Sequence, residues 1–194
     1  MKKDDKMKNP SVEIKPQREN GGSAIRKDSR VGLKVALVAI MTAITVVFTL
    51  FVRVPTTKGY FNLCDVAIYF CAFSFNPLVA FISAGVGTAL ADMISGYAQW
   101  APISFIVHGA EGLIVALLLR RNRNAVRKIL ASTIGVVIVA GGYFLIGGAV
   151  LTGFTTASIE VPMNIVQASV GAVIGFAVSL AVAKAYPPIR ELQK

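Results

Sequence analysis

Apolar residues along the chain gather into six blocks with short polar breaks between them. The blocks run about Val31–Val52, Phe61–Phe75, Pro77–Ser95, Pro102–Leu119, Ile129–Leu151 and Val161–Ala185. A helix needs roughly 20 apolar residues to cross a hydrocarbon core, so most of these blocks have the length of a membrane span. The breaks carry helix-starting prolines at Pro77 and Pro102 and a stop at Pro187–Pro188, positions suited to a residue that lacks an N–H. The second block is short. A hairpin of blocks two and three that enters without crossing is the rival to two full spans.

The pattern predicts an all-α integral membrane protein, a bundle of six transmembrane helices. Composition agrees: 55% of the 194 residues are hydrophobic and 15% charged, against about 25% charged in a soluble domain. Mean hydropathy is +0.65. Residues 1–30 are polar and basic, too poor in large apolar side chains to fold alone, and read as a disordered cytoplasmic tail. Residues 31–186 are the membrane domain, and 187–194 a short cytoplasmic tail.

Charge sets the orientation. Of twenty Lys and Arg, ten lie between Lys2 and Lys34, five between Arg120 and Lys128 and three from Lys184 onward; only Arg53 and Lys58 lie elsewhere. Six spans with a cytoplasmic amino terminus put eighteen of them inside, as the positive-inside rule requires. Both termini are then cytoplasmic, and a multi-pass protein of a bacterial cytoplasmic (inner) membrane is expected. The basic tail has no interleaved aromatics, which argues against nucleic acid as a partner.

Ionisable groups inside a span are costly and ask for a reason. There are four: Asp65, Asp92, His108 and Glu111. At about 1.5 Å per residue, His108 and Glu111 lie about 9 and 13 Å in from the outer start of their span. Their spacing of three places them on one helix face. Asn164 and Gln167 share a face in the same way. Six polar groups on four helices thus converge on the outer half, beneath Tyr60, Tyr97 and Trp100 in the loops. Polar groups with aromatic walls suit a small-molecule pocket. Each member also has a plainer reading. The aromatics fit an interfacial belt, Arg53 fits an ion pair with Asp65 or Asp92, and His108 with Glu111 fits an internal hydrogen bond.

Other chemistry is sparse. No P-loop, hydrolase elbow or Cys/His zinc spacing occurs, so no catalytic residue, cofactor or metal is expected in this chain. Cys64 and Cys71 read as small buried hydrophobes. Small residues recur every four positions in three blocks: Ala39 and Ala43, Ser83 to Ser95, and Gly171 to Ala183. Such stripes let helices approach closely. Those in blocks three and six read as packing inside the bundle. The first serves equally for internal packing or for another membrane subunit.

The segments Gly59-Tyr-Phe-Asn-Leu-Cys-Asp-Val-Ala-Ile-Tyr69, Phe75-Asn-Pro-Leu78, Ala91-Asp-Met-Ile-Ser-Gly-Tyr97 and His108-Gly-Ala-Glu-Gly112 resemble the substrate-binding S components of energy-coupling factor (ECF) vitamin transporters, nearest the hydroxymethylpyrimidine and pyridoxine branch. The resemblance covers about residues 31–186. It implies a bundle that captures a vitamin or vitamin precursor on the outer face and delivers it by toppling. It implies a transmembrane coupling subunit and two ATPase subunits as partners, with ATP and Mg used there. It implies ligand contacts from Asp92, His108, Glu111, Asn164, Gln167, Tyr60, Tyr97 and Trp100, a lid at Arg53–Tyr60, and docking to the coupling subunit through Ala39 and Ala43. The family pattern has glycine where Cys64 and Asn76 stand and lysine at His108. An imidazole there offers different contacts from a fixed ammonium. From a different class, a stand-alone proton-coupled carrier or a small intramembrane enzyme would also use these acids.

Overall fold

A computed structural model describes residues 21–56 and 60–193. The expected tail before residue 21, and Lys58 in the first loop, lie outside the described residues. The chain divides into two compact units, residues 1–33 and 34–194. In the first, residues 21–33 are helical and begin α1 (Gly21–Phe51). That start is ten residues earlier than the apolar block suggests and takes in residues expected to be disordered. No proline interrupts Gly21–Val31, so nothing in the sequence stops helical hydrogen bonding from extending back from the apolar run.

The second unit is an all-α bundle. Its further elements are α2 (Cys64–Ser74), α3 (Pro77–Ile94), α4 (Ala101–Leu118), α5 (Ala125–Gly142) and α6 (Phe154–Ala185). A π-helical segment, Tyr143–Thr152, follows α5 directly. The first loop is not wholly irregular. Val54–Pro55 (β1) pairs antiparallel with Tyr60–Phe61 (β2) in a small hairpin. Among the described residues, five stretches are long and apolar enough to cross a bilayer: Val31–Phe51, Pro77–Ile94, Ala101–Leu118, Ala125–Thr152 and Phe154–Ala185.

The short α2 is the exception. Its 11 residues span only about 16 Å. It is also the most enclosed helix, with every residue but Phe70 buried. A helix wrapped by others does not have to match the lipid thickness. Its C-terminal end is closed by a side chain from elsewhere. The Arg123 guanidinium donates to the carbonyls of Ala72, Phe73 and Phe75 at 3.3, 2.8 and 3.1 Å. These carbonyls have no further helical turn to accept from.

Caps explain the next starts. The Asn76 side chain accepts from the N–H groups of Leu78 and Val79 ahead of Pro77, and Asn124 accepts from the Arg127 N–H, both N-cap arrangements. Two expected loops are structured instead. Residues 154–160, read as loop, are the first turns of α6. Gly153, at φ 76°, turns the chain so sharply that the helix restarts at once. Pro162 then sits inside α6 on its exposed side. Membrane helices tolerate such a proline where other groups satisfy the freed carbonyl. The short tail after Pro187–Pro188 forms a 3-10 turn through Gln193. It returns Ile189 to the core beside Tyr69, Phe73 and Leu119, because an isoleucine there gains by burial.

Small residues set the helix spacing. A Cβ on Gly112 would meet the Ala80 carbonyl oxygen at 2.8 Å, and one on Gly85 the Phe105 carbonyl oxygen at 2.9 Å, so α3 and α4 touch backbone to backbone. Gly87 faces Thr45, and Gly171 and Gly175 face Asp65 and Tyr69 of α2. The stripes of blocks three and six therefore pack inside the bundle. The residues of α1 that face inward are Met41, Thr45 and Thr49. Ala39 and Ala43 are exposed on its other side.

Candidate functional site

The hairpin, the 95–100 turn and the junction between the π-helical segment and α6 meet at the end of the bundle opposite the basic loop 120–128. A cleft of about 710 Å³, counted out to its open mouth, lies among them. Tyr60, Asp92, Tyr97, Trp100, Asn164 and Gln167 all line it. Six of the eight ligand residues expected from the sequence are thus brought together. His108 and Glu111 are not among the lining residues. They lie below the cleft, 2% and 0% exposed, because Ser104 and Tyr143 stand between them and the space above. Sequence reasoning missed Asn62, Ser104, Tyr143 and Glu160, which also line the cleft. Ser104 is one helical turn before His108, and that spacing was the available signal. Tyr143 comes from the π-helical segment, where apolar periodicity says little.

The walls are aromatic and tied to each other. Tyr60 and Tyr97 rings lie 5.1 Å apart, and Trp100 and Tyr143 rings 6.0 Å apart. Ser104 and Tyr143 hydroxyls are 2.7 Å apart. The Tyr60 hydroxyl donates to Asp92 Oδ1 at 2.8 Å. Burial, and the Asp92 carboxylate beside it, push the Tyr60 phenol above its ordinary value of 10.0. Asp92 Oδ2 is buried without a hydrogen-bond partner. Such an atom costs free energy until a donor reaches it.

Arg53 does not form the expected pair. Among the described residues, it makes no ion pair with Asp65 or Asp92; its guanidinium lies 5.9 Å from the Tyr60 ring centre. It is exposed, whereas Asp65 is fully buried and held from α6. Gln167 Nε2 donates to Asp65 Oδ2 at 2.8 Å, and Gln167 Oε1 accepts from the Asn62 N–H at 2.9 Å. Gln167 thus joins the cleft floor to the layer beneath.

That layer is polar and enclosed. His108 Nδ1 lies 2.9 Å from Glu111 Oε2 and 3.8 Å from Asp65 Oδ1. His108 Nε2 lies 3.8 Å from Cys64 Sγ, and Cys64 Sγ lies 3.4 Å from Asp65 Oδ2. Asp65 Oδ1 and Glu111 Oε1 have no hydrogen-bond partner. The second cysteine, Cys71, lies 3.4 Å from the Ser83 hydroxyl in a separate, mostly apolar setting.

The chain is thus a multi-pass helical membrane protein with an aromatic-walled cleft at one end of its bundle. The chain belongs to the ECF-type riboflavin transporter S component family, whose match runs over residues 32–184. It is 33% identical over 146 residues to the thiamine precursor transporter HmpT of Lactococcus lactis subsp. cremoris (strain MG1363), covering 73% of this chain and 82% of that one. It is 37% identical over 151 residues to an uncharacterized protein in a gap 3' region of Pyrococcus woesei, covering 77% of this chain and all of that one. The S-component family and the relative named for a thiamine precursor both agree with the resemblance read from residues 59–112.

Proposed function

We propose that this chain is the substrate-capture subunit of an ECF importer and holds a vitamin precursor in the cleft bounded by Tyr60, Asp92, Trp100 and Gln167. The family is one of transporter S components, not enzymes. The observation that carries the reading is the unpartnered, buried Asp92 Oδ2 set among aromatic rings. It suits a flat heterocycle that stacks on the rings and brings an N–H donor to the carboxylate. Among the described residues lining the cleft there is no Lys or Arg, so a neutral or cationic ligand fits better than a phosphorylated one. The relative named for a thiamine precursor supports a pyrimidine-type compound over riboflavin.

In this reading the chain crosses the membrane six times. The enclosed α2 and its neighbours make the second and third crossings, both termini are cytoplasmic, and the cleft opens outward. The charge distribution supports that orientation. The cytoplasmic membrane is the location. Delivery follows toppling of the subunit against a coupling subunit, driven by two ATPase subunits, with Ala39 and Ala43 as the docking stripe. Their outward exposure supports this.

Mass spectrometry of the small molecule that copurifies with the protein tests the ligand, followed by calorimetry with hydroxymethylpyrimidine, thiamine and riboflavin. Tight binding of the pyrimidine, weakened by Asp92→Asn, is the expected result. Binding indifferent to Asp92 overturns the cleft assignment, and preference for riboflavin overturns the ligand.

A further inference from the structure

We propose a buried transition-metal site beneath the cleft, formed by the Cys64 thiolate, the Asp65 carboxylate and His108 Nε2, with Glu111 as the positioning residue. One ligand atom from each of these three residues lies within 4.8 Å of the other two, and all three residues are buried. In a tetrahedral zinc site with bonds of about 2.3 Å to sulfur and 2.0–2.1 Å to nitrogen or oxygen, sulfur lies about 3.5 Å from its neighbouring ligands. Cys64 Sγ is 3.8 Å from His108 Nε2 and 3.4 Å from Asp65 Oδ2. The donors therefore already stand near ligand spacing.

The layer also sets two buried carboxyls against one histidine. Asp65 and Glu111 are 0% exposed, with Asp65 Oδ1 and Glu111 Oε1 lacking a hydrogen-bond partner. Among the described residues, His108 is the cation-forming side chain recorded against them, its Nδ1 3.8 Å from Asp65 Oδ1 and 2.9 Å from Glu111 Oε2, and a divalent ion on the Cys64 side would add the charge that one imidazole cannot. The histidine is also oriented as a ligand. Its Nδ1 faces Glu111 Oε2 at 2.9 Å. A carboxylate accepting from Nδ1–H fixes the tautomer and leaves the Nε2 lone pair facing Cys64, the usual arrangement of a histidine bound to a metal.

Thiolate, imidazole and carboxylate together suit zinc or cobalt(II) rather than magnesium or calcium. Coordination replaces the Cys64 thiol proton, which leaves to solvent. The thiolate and the Asp65 carboxylate then balance the two charges of the ion. Three protein ligands leave a position open. Gln167, hydrogen-bonded to Asp65, ties the site to the cleft floor, so the ion stiffens the layer on which the ligand rests.

The test is full-length protein purified in detergent from cells grown with cobalt in place of zinc. One cobalt per chain and a sulfur-to-cobalt charge-transfer band are expected. Cys64→Ser and His108→Gln lose the band and the ion, while Cys71→Ser keeps both. Glu111→Gln keeps the band with affinity lowered about 10- to 100-fold. Folded wild-type protein with no band, or a band that survives Cys64→Ser, overturns the site. If the Cys64 variant does not fold, wild type and Cys71→Ser decide alone, because a band lost in Cys71→Ser would place the metal elsewhere. Vitamin-precursor binding is measured on the same samples. Folded wild-type protein that shows no band but still binds the precursor removes only the metal and leaves the transport reading standing.

Discussion

The Tyr60 hydroxyl donates to Asp92 Oδ1 at 2.8 Å and so fastens the β1–β2 hairpin to the end of α3. The bond joins two residues that line the cleft, one from the hairpin and one from the helix.

Tyr60→Phe removes that tie and leaves Asp92 with neither oxygen satisfied by the hairpin. A hydrogen bond to a charged group contributes about 1.5–3 kcal/mol, so ligand affinity should fall roughly 10- to 100-fold. The loss should appear mainly as faster dissociation in stopped-flow fluorescence, because the hairpin acts after entry. With the folded-state phenol raised above 10.0, titration of the phenol leaves the contact intact through neutral pH. That titration weakens it only as pH rises beyond 10.0, where the unfolded chain ionises first. Unchanged dissociation in the variant would show that the hairpin is not a lid.

At the other end, Arg123 carries the C-terminal carbonyls of α2. Its guanidinium reaches three acceptors, two of them on residues that are 0% and 1% exposed, Ala72 and Phe73. Arg123→Ala should lower stability by about 2–3 kcal/mol, through buried carbonyls left without donors. Arg123→Lys should recover only part of that, since an ammonium cannot reproduce the planar fork. Thermal melts in detergent measure both. Equal melting of Ala and Lys variants would contradict the geometric argument.

The general fold was readable from the apolar blocks, and Asp92 was readable because a carboxylate in an apolar span is conspicuous. Depth along a helix was readable too. It placed His108 and Glu111 in the half of the bundle that carries the cleft, but depth does not say what stands above a residue. Ser104 and Tyr143 cover them, and Tyr143 comes from a π-helical segment that periodicity does not resolve. The pairing of Cys64 with His108 joins α2 to α4, and spacing along one chain carries no sign of it. Arg53 failed as an ion-pair partner for a similar reason. Gln167 of α6 reached Asp65 first, and its approach depends on Gly171, one turn further on.

Gly171 makes that approach sharply testable. A Cβ there would run into the Asp65 Cβ, and it faces backbone as well as side chain, with the Asp65 carbonyl carbon at 2.8 Å. Gly171→Ala should therefore push α6 from α2 and cost about 1–3 kcal/mol by overpacking. Ligand binding should weaken with it, since Gln167 loses its contact with Asp65. Gly141→Ala is the control. A Cβ there meets nothing within 4 Å, and removing a helical glycine should stabilise by about 0.5–1 kcal/mol. Melting temperatures that move in the same direction for both would sink the packing explanation.

The last prediction concerns the exposed face of α1. Ala39 and Ala43 point away from Met41, Thr45 and Thr49, which are 1–2% exposed. Enlarging them therefore disturbs no contact within residues 34–194. In lipid, where apolar side chains gain little by leaving the bilayer, a small-residue stripe matters through how closely another helix can approach. Ala39→Leu with Ala43→Leu should leave melting temperature and vitamin-precursor affinity unchanged while abolishing copurification with the coupling subunit. Uptake by whole cells should fall with it. The two readouts separate the possible faults. Loss of affinity would mean that the stripe packs within the chain. Intact assembly would mean that docking uses another face. Uptake that persists when the ATPase subunits are deleted would overturn ATP-driven delivery and favour a stand-alone carrier.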